Sequence, residues 1–153
     1  MQMSLEYTEP LGNITSANAT MVLTVEDLYP IGIPITNFST DQMADSDEHE
    51  YAQARMGVDG GLAAGFVPNA WNVTVSLEAS SPSLKVMQQI AQAMVTNRRT
   101  YEIGLTITVP SLKQVHFFKQ GVLLNGKDLP GLRKTLEPTQ WKFTFAKYNQ
   151  LGI

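Results

Sequence analysis

Three stretches of the chain alternate apolar and polar residues with a strict period of two, which restricts the fold to one built largely from half-buried β-strands. In WNVTVSLE, Trp71, Val73, Val75 and Leu77 share one face and Asn72, Thr74, Ser76 and Glu78 the other. EIGLTITV aligns Ile103, Leu105, Ile107 and Val109, and QWKFTFAKY aligns Trp141, Phe143 and Phe145. A helix would scatter these apolar positions around its circumference. Three more segments read as strands: ATMVLTV at 19–25, IGIPITNF, and KQVHFFKQGVLLN. Pro34 has no amide hydrogen to give to a ladder, so the second of these is expected at a sheet edge or at a bulge. Tyr29-Pro30, Pro110, Asn125-Gly126 and Pro130-Gly131 supply the turns.

One segment breaks the β pattern. In SSPSLKVMQQIAQAMVTNRR, Ser81 offers an acceptor for the unpaired amides of a first helical turn, and Pro82 suits the first helical position. Leu84, Met87, Ile90, Ala91 and Met94 fall on one helical stripe, while Lys85, Gln88, Gln89 and Gln92 face away. Arg98 and Arg99 are placed to favour the negative end of the helix dipole. The expected architecture is mainly β: an antiparallel β-sandwich or barrel with one flanking α-helix capping an open end of its core. With 153 residues, 43% of them hydrophobic, the chain has the material for one self-sufficient core, read as a single domain over residues 1–153.

Between the second and third strands lies an acidic, glycine-rich insertion at residues 37–70, FSTDQMADSDEHEYAQARMGVDGGLAAGFVP at its centre. Connections longer than about 12 to 15 residues inside a compact domain are usually functional or disordered. Its glycines at 57, 60, 61 and 65 read as hinges, because no strand-to-helix context makes them a dinucleotide fingerprint. Met56, Leu62, Phe66 and Val67 are its apolar anchors. Residues 1–18, polar and turn-rich, read as an extended arm that a partner subunit could hold.

Chemistry-bearing motifs are missing. The sequence contains no GxSxG, no HExxH and no glycine-rich phosphate loop with a following lysine. The absence of cysteine removes disulfides, thiolate catalysis and cysteine metal sites. Asp41, Asp45, Asp47, Glu48 and Glu50 around His49 supply oxygen ligands, but their spacing does not match a calcium loop. That cluster is expected to be solvated or to order against a neighbour, and a metal-dependent enzyme built on Asp45, Asp47 and Glu48 has no supporting motif. His49 and His116 are too far apart in sequence to suggest a paired base. No cofactor and no enzymatic activity are expected. Lys127, Arg133 and Lys134 read as a small solvated basic turn, with pairing to the acidic 41–50 segment of a neighbouring subunit as the alternative. A net charge of −3 disfavours nonspecific nucleic-acid binding, which relies on clustered Lys and Arg. The four N-x-S/T matches, at Asn13, Asn18, Asn37 and Asn72, read as chance, since no secretion leader or bilayer-spanning run of about 20 apolar residues is evident. A soluble protein made in the cytoplasm, without a membrane partner, is expected.

The passage GVDGGLAAGFVPNAWNVTVSLEASSPSLKVMQQI, with its order of loop, strand, "SP" and helix, and the closing LEPTQWKFTFAKY resemble the tail tube proteins of phages and related contractile injection particles. The resemblance extends over about the last two thirds of the chain and implies a two-sheet β core, one helix at its side and a long loop reaching the next subunit. It further implies a structural virion protein whose copies pair edge strands into stacked hexameric rings, contact sheath and baseplate proteins, and let DNA pass through the lumen without specific binding. In that setting Asp45, Asp47, Glu48, Met56, Leu62, Phe66, Arg133 and Lys134 are the candidate inter-subunit contacts. The polar strand faces, Asn72, Thr74, Ser76 and Glu78 or Thr106 and Thr108, are candidates to line the channel. Two other readings stay open: a tube-fold baseplate protein that initiates or connects the tube, and a ligand-binding β-barrel with the insertion as its lid.

Overall fold

A computed structural model describes residues 19–36, 44–132 and 134–152. Its strands are β1 (Thr20–Val25), β2 (Tyr29–Ile35), β3 (Ala44–Ser46), β4 (Ala52–Met56), β5 (Leu62–Phe66), β6 (Trp71–Leu77), β7 (Ile103–Val109), β8 (Gln114–Asn125) and β9 (Thr139–Gly152), with one helix, α1 (Ser83–Asn97). A short 3-10 turn, Pro110–Leu112, joins β7 to β8. Seven strands form one sheet in the order β2-β1-β7-β8-β9-β6-β3, and β4 and β5 form a separate two-stranded ribbon. Every pairing is antiparallel. Residues 1–18 lie outside the described residues, and with them the expected arm.

The period-two strands behave as their patterns dictate. Val73, Val75 and Leu77 of β6 and Trp141, Phe143 and Phe145 of β9 are buried, and their register sets Val75 opposite Trp141 and Val73 opposite Phe143. Met21, Leu23 and Val25 of β1 join Ile103 and Leu105 of β7 in the same core. The sheet curls over on itself: Ala44, Asp45 and Ser46 at the β3 edge share a cavity of about 180 Å³ with Ile107 of β7 and His116 of β8, although three strands separate β3 from β7 in the order. This is the expected antiparallel β-sandwich. β2, with Pro30 and Pro34, is an edge strand, where a missing amide costs no ladder bond.

Helix α1 lays Leu84, Met87 and Ile90 into the core, with Val86 buried beside them and Ala91 and Met94 half-buried. The Ser81 hydroxyl accepts the Ser83 amide at 3.1 Å and donates to the Thr36 carbonyl, so the helix start is tied to the end of β2. The helix ends at Arg98 in a left-handed conformation (φ 52). Arg99 serves the fold rather than the dipole: it reaches Glu26 at 2.6 Å and stacks on the Tyr101 ring at 4.4 Å.

At Gly121 the core tolerates no side chain. A Cβ there would lie 2.1 Å from Phe145 and 2.6 Å from the Thr144 carbonyl oxygen, so the β8 register depends on glycine. Ser76, expected on a polar face, is only 5% exposed and is withdrawn from the channel-lining candidates. Asn72 is exposed, and Thr74, Glu78, Thr106 and Thr108 are half-exposed.

Candidate functional site

The insertion is more regular than its composition suggests. β3 docks on β6 with Asp45 opposite Thr74, and β4 and β5 pair as Ala52 with Phe66, Gln53 with Gly65, Ala54 with Ala64, Arg55 with Ala63 and Met56 with Leu62. Cross-strand partners share a face. One face of the ribbon therefore carries Ala52, Ala54, Met56, Leu62, Ala64 and Phe66, all apolar, and the other carries Gln53, Arg55, Ala63 and Gly65. Yet every residue of both strands is exposed, with Met56 at 65%, Leu62 at 68% and Phe66 at 78%. The turn closes through the Gly57 amide on the Gly61 carbonyl (2.7 Å) and the Gly61 amide on Asp59 Oδ1 (3.0 Å), with Gly60 at φ +87, where a side chain is strained.

The alternation AQARM against LAAGF was legible in principle. Four of its positions are alanine, whose small side chain carries little apolar signal, so the hinge reading of the glycines obscured it.

The root of the hairpin is fastened by aromatic rings. His49 stacks on Trp71 with centroids 3.5 Å apart and planes 4° from parallel, and Tyr51 meets both rings edge-on. Trp71 continues to Tyr148 at 4.5 Å, and Tyr148 to Phe118 at 4.9 Å. The Tyr148 hydroxyl is hydrogen-bonded to His116 Nδ1 at 2.6 Å and donates to Gln150 Oε1 at 3.2 Å. Burial holds His116 below the ordinary histidine pKa, and burial, with a smaller contribution from Tyr51, raises that of Tyr148. Asn69 adds a polar tie, its amide donating to the Glu50 carbonyl at 3.0 Å and to Glu50 Oε1 at 3.2 Å. In the sequence His49 and His116 read only as a metal-cluster neighbour and as a paired base, and the ring stack itself is not foreseen there, because it converges from four separate segments.

β9 is paired with β6 only from Thr139 to Phe145, whereas its ladder with β8 runs to Gly152. Among the described residues, no strand covers the β6 side of β9 beyond Phe145. The sheet forks at Trp71: one prong is the hairpin, the other the end of the β8–β9 ribbon. A cleft of about 430 Å³ lies against the β8–β9 ribbon beside Trp71, lined by Trp71, Phe117, Lys119, Lys147, Tyr148 and Asn149. Lys119 and Lys147 stand directly opposite each other across the ladder.

The structure gathers Met56, Leu62 and Phe66 on one hairpin face and places Asp45, Asp47 and Glu48, all exposed, at its root. Asp47 is held there by its amide, which donates to the Asn72 carbonyl at 3.0 Å. Lys134 is exposed in the loop after β8, and Arg133 lies outside the described residues. Among the described residues no three His, Asp or Glu side chains converge to hold a metal ion, and no helix is long and apolar enough to cross a membrane.

The fold has solved counterparts. The anti-feeding prophage cap, a tube-terminating cap, aligns over 100% of this chain and 97% of its own, at TM-score 0.53 and 12% identity. The sheath/tube terminator of the extracellular contractile injection system PVC, in its extended state, aligns over 97% of this chain and 100% of its own, at TM-score 0.56 and 11% identity. The PVC sheath-tube complex gives TM-score 0.53 at 12% identity, over 97% of this chain and 95% of that one. At such identities the likeness establishes a shared fold. No curated protein matches the sequence. The resemblance to tail tube proteins is thus borne out at the level of fold, and because the family model described as "Tail fiber protein gp32" matches residues 12–149, the chain belongs to that family of tail proteins.

Proposed function

We propose that this protein is a structural component of a phage tail or related injection particle that works by assembling with copies of itself into tube-type rings. The observation that carries this reading is the hairpin. An isolated two-stranded ribbon is at best marginally stable in water, and this one presents an unbroken apolar face to solvent. A second protein surface supplies the missing burial: at about 25 cal/mol per Å², covering each of Met56, Leu62 and Phe66 contributes roughly 1.5–3 kcal/mol before ordering costs. The open side of β9 and the edge strands β2 and β3 offer backbone groups for pairing between copies, as closure of a ring requires.

In this reading the copies form hexameric rings that stack as a conduit for DNA, beside sheath and baseplate proteins, in the tail of a virion made in the host cytoplasm. Asn72, Thr74, Thr106 and Thr108 suit a polar lumen wall along which DNA slides without adhering. The task is structural rather than enzymatic. A second placement, a tube-fold ring at the end of the tube or in the baseplate, is favoured by one observation: two solved proteins sharing the fold are a tube-terminating cap and a sheath/tube terminator. A ligand-binding barrel has less support: the cavity inside the curled sheet, between β3 and the β7–β8 pair, is about 180 Å³, below the roughly 300–1,000 Å³ of typical ligand sites, and the larger cleft at Trp71 is lined by no residue of the hairpin that would have to act as its lid.

Negative-stain electron microscopy with light scattering over a concentration series tests the proposal. Rings with a central hole are expected, stacking into tubes for the main-tube role and remaining single for a terminal role. A monomer at every concentration would overturn self-assembly.

A further inference from the structure

We propose that the apolar face of the β4–β5 hairpin seats in a groove on a second copy, between the second half of α1 and the β8–β9 turn. This names the receiving surface for the assembly reading above and rests on it. The groove is a cavity of about 170 Å³ whose apolar lining is Ala91, Met94, Val95, Leu123, Leu124 and Trp141, with Asn125, Gly126 and Asp128 completing it on the side of the turn. Val95 is 71% exposed and Leu124 56%, high values for aliphatic residues that flank one concavity. Leu129, at 64%, extends the patch beyond Asp128, whose carbonyl accepts the Gln88 side-chain amide at 2.7 Å and pins the turn against α1.

Charge selects a second copy as the occupant. Lys127 and Lys134 are exposed in the loop that borders the groove and take part in no ion pair among the described residues. The hairpin carries the opposite charge at its root, where Asp45, Asp47 and Glu48 are exposed and equally without an ion pair. A hairpin laid apolar face down in the groove brings an acidic root to a basic rim. Shape adds to this: Met56 and Leu62 pair at one end of the face, Phe66 stands at the other, and only alanines lie between, so the ribbon presents two bulky ends with a shallow middle. The donor and acceptor patches differ, so the contact is head-to-tail, the type that closes rings or propagates filaments.

The natural absence of cysteine makes the test direct. Single variants Phe66→Cys and Val95→Cys, at exposed positions, are mixed under assembling conditions and treated with a short bismaleimide, and the linked peptides are read by mass spectrometry. A dimer joining Phe66→Cys to Val95→Cys is expected, with neither variant alone giving a comparable yield. Oligomers by light scattering without that link would overturn the docking while leaving self-assembly intact; monomers throughout would overturn both. As a second arm, Val95→Glu should weaken assembly by about tenfold or more, equivalent to loss of one buried aliphatic contact. Its folding is checked by circular dichroism, and an unchanged assembly constant in the folded variant would also overturn the proposal. Lys127→Glu with Lys134→Glu should weaken assembly, and Asp45→Lys with Glu48→Lys on the partner should restore it; failure to restore refutes the charge pairing.

Discussion

The β6–β9 pair and the β4–β5 hairpin are built on the same principle and meet opposite fates. Both are antiparallel, and both carry apolar residues at every second position of facing strands. In the first, Val73, Val75, Trp141 and Phe143 are at most 2% exposed, covered by the opposing half of the curled sheet and by α1. In the second, the same alternation ends in solvent. Period two specifies a strand with two unlike faces; whether the apolar face is covered within the chain depends on where topology sends the strand. A hairpin projecting from the fork at Trp71 has nothing above it among the described residues, and natural β-proteins rarely leave such a face uncovered without a partner.

The contrast can be broken from either side. Phe143→Ala removes a fully buried ring from the covered pair and should cost about 3–5 kcal/mol, measured as a lower urea midpoint with unchanged slope. Gly121→Ala inserts a methyl where Phe145 and the Thr144 carbonyl stand, with an expected loss of about 1–3 kcal/mol in the same assay. Trp71→Ala acts between the two regions: amide exchange in residues 52–66 should accelerate more than exchange in β1 or β7, because the ring that fastens the hairpin is gone. Equal acceleration everywhere would mean that Trp71 supports the core rather than the root. The triple change Met56→Ser, Leu62→Ser and Phe66→Ser, by contrast, should leave the monomer's unfolding midpoint within about 0.5 kcal/mol of the parent while abolishing assembly. A large loss of monomer stability would show that the hairpin face is already covered in the free chain.

The aromatic root also has a pH signature. His116 has a lowered pKa in the folded state, so the unfolded chain binds more protons in the window below the ordinary histidine value of 6.5. Stability should fall as pH drops through that window, and His116→Gln should flatten the slope. Tyr148 has the opposite displacement: its raised pKa keeps the phenol protonated when folded, so stability should decline again as pH rises above 10.

Much of the fold was legible because large side chains wrote it. Trp71, Val73 and Val75 or Trp141, Phe143 and Phe145 announce a buried face by bulk and spacing, and Leu84, Met87 and Ile90 announce the helix stripe in the same way. The hairpin was hidden by its alanines and by glycines that read as hinges but instead close a turn. Sheet order was not legible at all, since nothing local in ATMVLTV specifies β7 as its partner. Of the candidate contacts, Met56, Leu62 and Phe66 were found as scattered anchors, and only the cross-strand register shows that they form one face. The ring stack of His49, Trp71 and Tyr148 joins residues distant in sequence, which no pattern search along the chain brings together.

The sheet order also sets a schedule for synthesis. Thr24 donates its hydroxyl to the Gly104 carbonyl across a separation of 80 residues, and β1 lies between β2 and β7. A chain emerging from the ribosome therefore makes the β1–β2 pair early and must carry Met21, Leu23 and Val25 without their main partners until β7 is released. The meander β7-β8-β9 has near neighbours and closes quickly; the first two strands wait for it, and loop closure over such distances is slow. The period of greatest exposure for this protein is thus its own translation, when the earliest apolar strand is complete and the strand that covers it has not yet been made.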